Sequence, residues 1–338
     1  MSGTFEIADA AHRRGAYATA LALLRPLADT GDARAQTSLG AIYAHGQGVP
    51  QDYESAAKFY RLAALQGLAP AQFNLGTLHY NGQGVPQNFG EALKWYRLAA
   101  EQNLAVAQFN LGVMYANGQG TDQDYAEALK WYSSAAQQGH VNAQAGMGGL
   151  YALGLGVSKN FGEAAKWYRL AAEQGNAPAQ HCLADLYAND PGGPQDASEA
   201  VKWYRKAANQ HLAAAQYMLG FLYDTGRGLS PNPKEAAKWY EKAADQGHPD
   251  AQFNLAALLE EGEGVAPDLV KALMWYLLAE RCYSSTNPKN RTLASRSAKS
   301  LSKTMSPQQI REAGIRAKKW QSSKGPAGHA PPPDQISR

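Results

Sequence analysis

The chain is ruled at 36 residues. Ala-Gln begins at Ala35, Ala71, Ala107, Ala143, Ala179, Ala215 and Ala251, each 36 from the last. A second series runs beside it at the same spacing: an aromatic residue followed by Tyr begins at Phe59, Trp95, Trp131, Trp167, Trp203, Trp239 and Trp275. A unit of this length is one supersecondary element that cannot bury its apolar face alone. Successive units must therefore stack, and the chain must be an array.

Each unit resolves into two helices. The first runs from about the Ala-Gln through segments such as LGTLHYN and LGVMYAN, with apolar residues at helical spacing, and stops at Gly-x-Gly. The second begins at Asp52, Asn88, Asp124, Asn160, Asp196, Asn232 or Asp268, whose side chain accepts from free N–H groups of the first turn. Three residues on, Glu91, Glu127, Glu163, Glu199 and Glu235 give the pattern of a capping box. The second helix ends at Gly31, Gly67, Gly139, Gly175 or Gly247, where a left-handed cap needs no Cβ, with Asn103 and His211 in the same slot. Gly40, Gly76, Gly112, Gly148 and Gly220 fall inside the first helix, where glycine costs about 1 kcal/mol against alanine. Their recurrence predicts two backbones packed too closely for a larger side chain. The Ala-Ala pairs before each turn read as tight seams, and the Trp-Tyr pair as a wedge between units.

These readings predict an all-α fold, an α-α superhelix (solenoid) of about eight antiparallel helix pairs with a 36-residue period. Residues 1–34 are expected to form an N-terminal helical cap, since Tyr17 to Tyr53 keeps the register without a tryptophan. Seven units follow at 35–70, 71–106, 107–142, 143–178, 179–214, 215–250 and 251–286. Residues 287–320 are expected to be a helical C-terminal cap with Ile310, Ala313, Ala317 and Trp320 on one face. Residues 321–338, rich in Pro and Gly, read as a disordered tail.

Composition narrows the chemistry. Two cysteines, Cys182 and Cys282, make neither a disulfide framework nor a zinc site. No run of about 18 apolar residues occurs, and the N-terminus lacks an apolar leader, so a cytoplasmic protein without a transmembrane segment is expected. Charge is uneven: residues 287–320 hold nine Lys or Arg against Glu312 alone, while residues 1–286 carry a net −6. The basic end is a candidate surface for nucleic acid or anionic lipid, although no aromatic ladder is interleaved with its cations.

The unit A-Q-x-x-L-G-x-x-Y-x-x-G-x-G-V-x-x-D-Y-x-E-A-x-K-W-Y-x-x-A-A-x-x-G resembles the Sel-one-like repeat, a relative of the tetratricopeptide repeat. The match spans roughly residues 35–286. Local departures are His79 and Leu259 in the first-helix Tyr slot and NDPGGPQD in place of Gly-x-Gly-Val. The resemblance implies a scaffold or adaptor that binds a protein or peptide partner, with the first helices lining the concave face.

On that implication the candidate groove comprises Phe73, Asn74, Tyr80, Asn81, Phe109, Asn110, Asn117, His181, Tyr217, Phe221, Phe253 and Asn254. Aromatic area beside amides suits an extended segment. The alternative reading has these rings filling the seam between adjacent first helices. No catalytic residue, metal site or cofactor is expected, and the chain is read as a non-enzyme. The Gly-x-Gly loops follow no strand and lead to no Gly-Lys-Ser/Thr. Ser55-Ala-Ala-Lys58 matches the Ser-x-x-Lys of β-lactam-recognising enzymes, but its slots hold Glu and Lys in other units and the companion motifs are missing.

Overall fold

The computed structural model describes residues 2–189, 196–283 and 287–324, and among these there are eighteen helices and no strand. The protein is a helical solenoid of two compact units, residues 1–159 and 160–338. The first holds α1 (Ser2–Arg13), α2 (Tyr17–Asp29), α3 (Ala33–His45), α4 (Tyr53–Leu65), α5 (Ala69–Asn81), α6 (Phe89–Glu101), α7 (Ala105–Asn117), α8 (Tyr125–Gln137) and α9 (Val141–Leu153). The second holds α10 (Phe161–Glu173), α11 (Ala177–Asn189), α12 (Ala197–Asn209), α13 (Ala213–Thr225), α14 (Pro233–Asp245), α15 (Pro249–Glu261), α16 (Leu269–Cys282), α17 (Pro288–Ser302) and α18 (Pro307–Lys324). First helices begin two residues ahead of the Ala-Gln, at Ala33, Ala69, Ala105, Val141, Ala177, Ala213 and Pro249.

All seven second helices are capped by the expected Asp or Asn, as where Asn88 accepts from Glu91 N–H at 3.0 Å. The glutamates do not close the box. The Asn88 N–H is already donated to the His79 carbonyl, and Asp124 N–H to that of Tyr115. Glu91 pairs instead with Lys94 at 2.6 Å, and Glu199 with Lys202 at 2.6 Å. A carbonyl of the preceding helix thus does the work that an isolated helix would leave to glutamate.

The mid-helix glycines face side chains more than backbone. A Cβ on Gly112 would lie 2.6 Å from Tyr132 Cδ1, and one on Gly220 2.7 Å from Tyr240 Cδ1. The expected Trp-Tyr wedge is therefore divided. Its Tyr lies across the glycine of its own repeat, while Trp95 packs against the cluster around Ala57, Tyr60 and Leu75 that includes the preceding repeat. The second glycine of each loop is the one that meets backbone: at Gly84, with φ of 67°, a Cβ would fall 2.2 Å from the Tyr53 carbonyl carbon. At Gly84, Gly120, Gly156, Gly228 and Gly264 the loop rests on backbone at the start of the preceding second helix, and only glycine admits that approach.

A buried amide relay joins the repeats. Gln36, Gln72, Gln108, Gln144, Gln180, Gln216 and Gln252 are each at most 5% exposed. Each donates Nε2 to the carbonyl of the alanine eight residues earlier, on the previous second helix, at distances from 2.9 Å (Gln180 to Ala172) to 3.3 Å (Gln144 to Ala136). The C-cap glutamine of the same repeat donates into the buried Oε1, as from Gln102 to Gln72 at 2.8 Å and Gln246 to Gln216 at 2.7 Å. The relay satisfies polar groups that burial would otherwise leave at a cost of about 1–3 kcal/mol each.

At the N-terminal end α1 and α2 pack as a pair, burying Ala8, Ala11, Leu21 and Leu24. At the other end α17 and α18 both pack on α16, with Ala313 and Ala317 fully buried and Ile310 and Trp320 against the same cluster. Trp320 meets Trp275 edge to face at 5.7 Å between centroids. Helix α18 runs through the first four residues of the expected tail, and residues 325–338 lie outside the described residues, as does 190–195 of the atypical loop.

Candidate functional site

The positions singled out on the first helices are for the most part half-buried, and their rings lie on the core tyrosines. Phe73 sits 5.5 Å from Tyr96 between ring centroids. Phe109 lies 5.7 Å from Tyr132 and 4.8 Å from His140. In the second unit His181 lies on Tyr204, Phe253 on Tyr276, and Tyr217 on both Tyr240 and His248. Phe221 flanks Tyr217 at 6.4 Å, with the Arg227 guanidinium 5.6 Å from its own ring. Each of these rings is half-buried, and all but Phe221 lie against the second-helix tyrosine of their own repeat.

The amides divide in the same way. Asn74 is half-buried; Asn110 faces the Tyr96 hydroxyl, and Asn254 Nδ2 donates to the Tyr240 hydroxyl at 3.1 Å. Further along the helices, Asn81 and Asn117 are exposed, and Tyr80 donates its hydroxyl to Gln119 Oε1 at 3.1 Å. In the second unit carboxylates join this face. Tyr204 donates to Asp185, Tyr240 to Asp224 at 3.1 Å and Tyr276 to Glu260 at 2.9 Å. Burial, then these carboxylates, drive the hydroxyls of Tyr204 and Tyr240 well above the ordinary phenol range. They are protonated donors at any physiological pH.

Three of the twelve positions, Tyr217, Phe253 and Asn254, come together in one cleft of about 200 Å³. Its remaining wall is Asp250, Tyr283, Asn290 and Leu293. The last three stand outside the repeats' first helices, and the periodic reading passed over them. The only trace of the cleft in the sequence is that Asp250 and Tyr283 break their slots. The relay glutamines were equally overlooked, although glutamine recurs every 36 residues from Gln66 to Gln246.

The other titratable groups serve the framework. His140 and His248 cap α9 and α15, each accepting at Nδ1 from a backbone N–H at 3.3 Å, so their Nε2 carries the proton. Buried His79 occupies a tyrosine slot without a hydrogen-bond partner for either ring nitrogen. Burial and the Arg61 guanidinium hold its pKa below the usual imidazole range. Ser55 donates its hydroxyl to the cap carboxylate of Asp52 at 2.6 Å, while Lys58 is exposed. The Ser-x-x-Lys letters are thus a cap and a surface cation. Among the described residues no group of three His, Cys, Asp or Glu is placed to hold a metal ion, and no helix is long and apolar enough to cross a membrane. The basic side chains of α17 and α18 are largely exposed, with Arg316 paired to Glu312 at 2.5 Å.

The Sel1 repeat family model matches residues 33–68, 69–104, 105–140, 141–176, 177–212, 213–248 and 249–282. Among solved structures, a Sel1 repeat protein from Oxalobacter formigenes is 38% identical with a TM-score of 0.64, over 71% of this chain and 96% of that one. The protective antigen c5321 of uropathogenic Escherichia coli, which displays the same repeat fold, is 28% identical with a TM-score of 0.42, over 92% of this chain and 88% of that one. No curated protein matches.

Proposed function

Because this chain belongs to the Sel1 repeat family, we propose that it is a non-enzymatic scaffold or adaptor whose first-helix face receives an extended segment of a protein partner. The observation that carries this reading is the composition of that face. Half-exposed rings at Phe73, Phe109, Tyr217 and Phe253 stand beside amides, and the exposed Asn81 and Asn117 continue the same helix faces one or two turns on. An extended segment offers main-chain N–H and C=O groups that amides pair, and side chains that the rings cover.

The test exploits the exposed positions, which leave the seam untouched. Asn81→Lys combined with Asn117→Lys should reduce both the yield and the number of partners crosslinked to the full chain from its native source, with an unchanged helical melt. Phe73→Ser with Phe109→Ser should do the same at some cost in stability, because those rings also cover Tyr96 and Tyr132. An unchanged partner list in both pairs, with the fold intact, would retire the proposal.

A further inference from the structure

The cleft at the end of the last repeat has the chemistry of a socket for one positive charge. Three rings, Tyr217, Phe253 and Tyr283, stand around one carboxylate, Asp250, and two amides, Asn254 and Asn290. No lysine or arginine lines it. Asp250 Oδ1 accepts from the Tyr283 hydroxyl and from Asn290 Nδ2 at 3.4 Å. Those neutral donors hold the carboxylate in place without cancelling its charge. Burial first, and then the Asp250 and Asp224 carboxylates, push the Tyr217 hydroxyl up to about 12.

Two departures from the 36-residue pattern build this cleft, and they fall in the same place. The Asp250 slot holds Arg34, Pro70, Val106, Asn142, Pro178 and Ala214 in the other repeats, so an acid occurs there once. The Tyr283 slot is otherwise glycine, Asn103 or His211. Tyr283 is 5% exposed and packs with Phe253 and Ala294, so its ring is a wall of the cleft rather than a loose surface group. The first-helix face leading to it already carries Asp185, Asp224 and Glu260 as acceptors for the core tyrosines.

We propose that this cleft takes the side chain of an arginine or lysine from the extended segment received by the first-helix face, and so selects for a basic partner. The inference rests on the reading of that face given above. Aromatic faces attract a cation through their quadrupole, and a fixed carboxylate adds a charge-assisted hydrogen bond. An anion is repelled by the same carboxylate. An apolar side chain would strip water from Asp250 and return nothing for it.

The probe is a blocked peptide, acetyl-Gly-Arg-Gly-amide, titrated into the full chain and read by saturation-transfer NMR, with the citrulline peptide as a neutral counterpart of the same shape. The arginine peptide should bind about tenfold or more tighter than the citrulline one. Its affinity should fall as salt rises from about 50 to about 500 mM. Asp250→Asn, which still accepts from Tyr283 and Asn290, should abolish the preference without shifting the melt. Equal binding of the two peptides, no binding of either, or a preference that survives Asp250→Asn would overturn the socket. The Asn81 and Asn117 variants report on the first unit alone. Partners lost there while the arginine preference is missing retire the socket and leave the scaffold; the converse retires the scaffold reading and leaves an isolated cation site.

Discussion

The joint that follows α6 and the joint that follows α16 occupy equivalent places in the repeat and end differently. After α6, Gln102 donates into the buried Gln72, Asn103 takes a left-handed φ of 64°, and the chain turns directly into α7. After α16 the same two slots hold Cys282 and Tyr283. The thiol supplies no amide, and Gln252 Oε1 is left buried without a partner. Tyr283 sits at φ of −70° instead of the left-handed region that Asn103 and His211 still adopt in this slot. The left-handed cap of the other joints is thus missing where the 36-residue period ends. Tyr283, the second of these replacements, is also a wall of the cleft. An array needs a distinct last unit, and here that unit is also the most chemically individual one.

Substitutions at the two kinds of joint should separate them, measured by urea unfolding with helix-resolved hydrogen exchange, since an array need not unfold in one step. The largest effect is expected at Gly84→Ala. It meets the Tyr53 carbonyl at 2.2 Å with a positive φ and should cost about 3–5 kcal/mol around α4 and α5. Gln108→Leu comes next. It removes the buried bonds from Gln108 Nε2 to the Ala100 carbonyl and Asn103 Oδ1 and the one that Gln108 Oε1 accepts from Gln138, and should cost about 2–3 kcal/mol. Gln252→Leu should cost only about 1 kcal/mol, because one of its two polar atoms is already unpaired. Equal losses at the two glutamines would break the comparison.

Cys282→Gln restores the missing donor and should stabilise α15 and α16 by about 1 kcal/mol; a loss would show that the last joint has no room for the relay. A pH effect is expected at His79. Its pKa is lowered in the fold, so the unfolded chain binds the proton more readily. The stability it contributes is complete above the free imidazole value of about 6.5 and is lost as pH falls below it. His79→Tyr should flatten that acid slope, and an unchanged slope would assign it to other groups. The smallest effect belongs to Glu91→Ala, within about 0.5 kcal/mol, because its partner Lys94 is exposed and the cap N–H is bonded elsewhere.

Helices, caps and turns were legible because each rests on a local rule repeated seven times. Asn88 accepts from the first turn, and Asn103 and His211 adopt the left-handed conformation that their slot demanded. What was not legible depended on a second helix. Glu91 has the spacing of a capping box, yet the His79 carbonyl arrives first. Gly112 reads as a close backbone contact, yet its principal neighbour is the ring of Tyr132. The candidate face shows the same limit: Phe73 and Phe109 were legible as recurring aromatics, but their half-buried packing depends on Tyr96 and Tyr132 on the second helix of each repeat.

The sequence by itself determined the period, the boundaries of the repeat helices to within about two residues and the family, because a 36-residue ruler and its caps are written in local chemistry. Only the tertiary structure decided which polar atoms are satisfied across a repeat boundary. It alone showed that the core tyrosine lies under its own glycine, and that Asp250 and Tyr283 meet at one cleft. Those outcomes join residues on different helices, and their energies depend on distances and burial that no single helix contains.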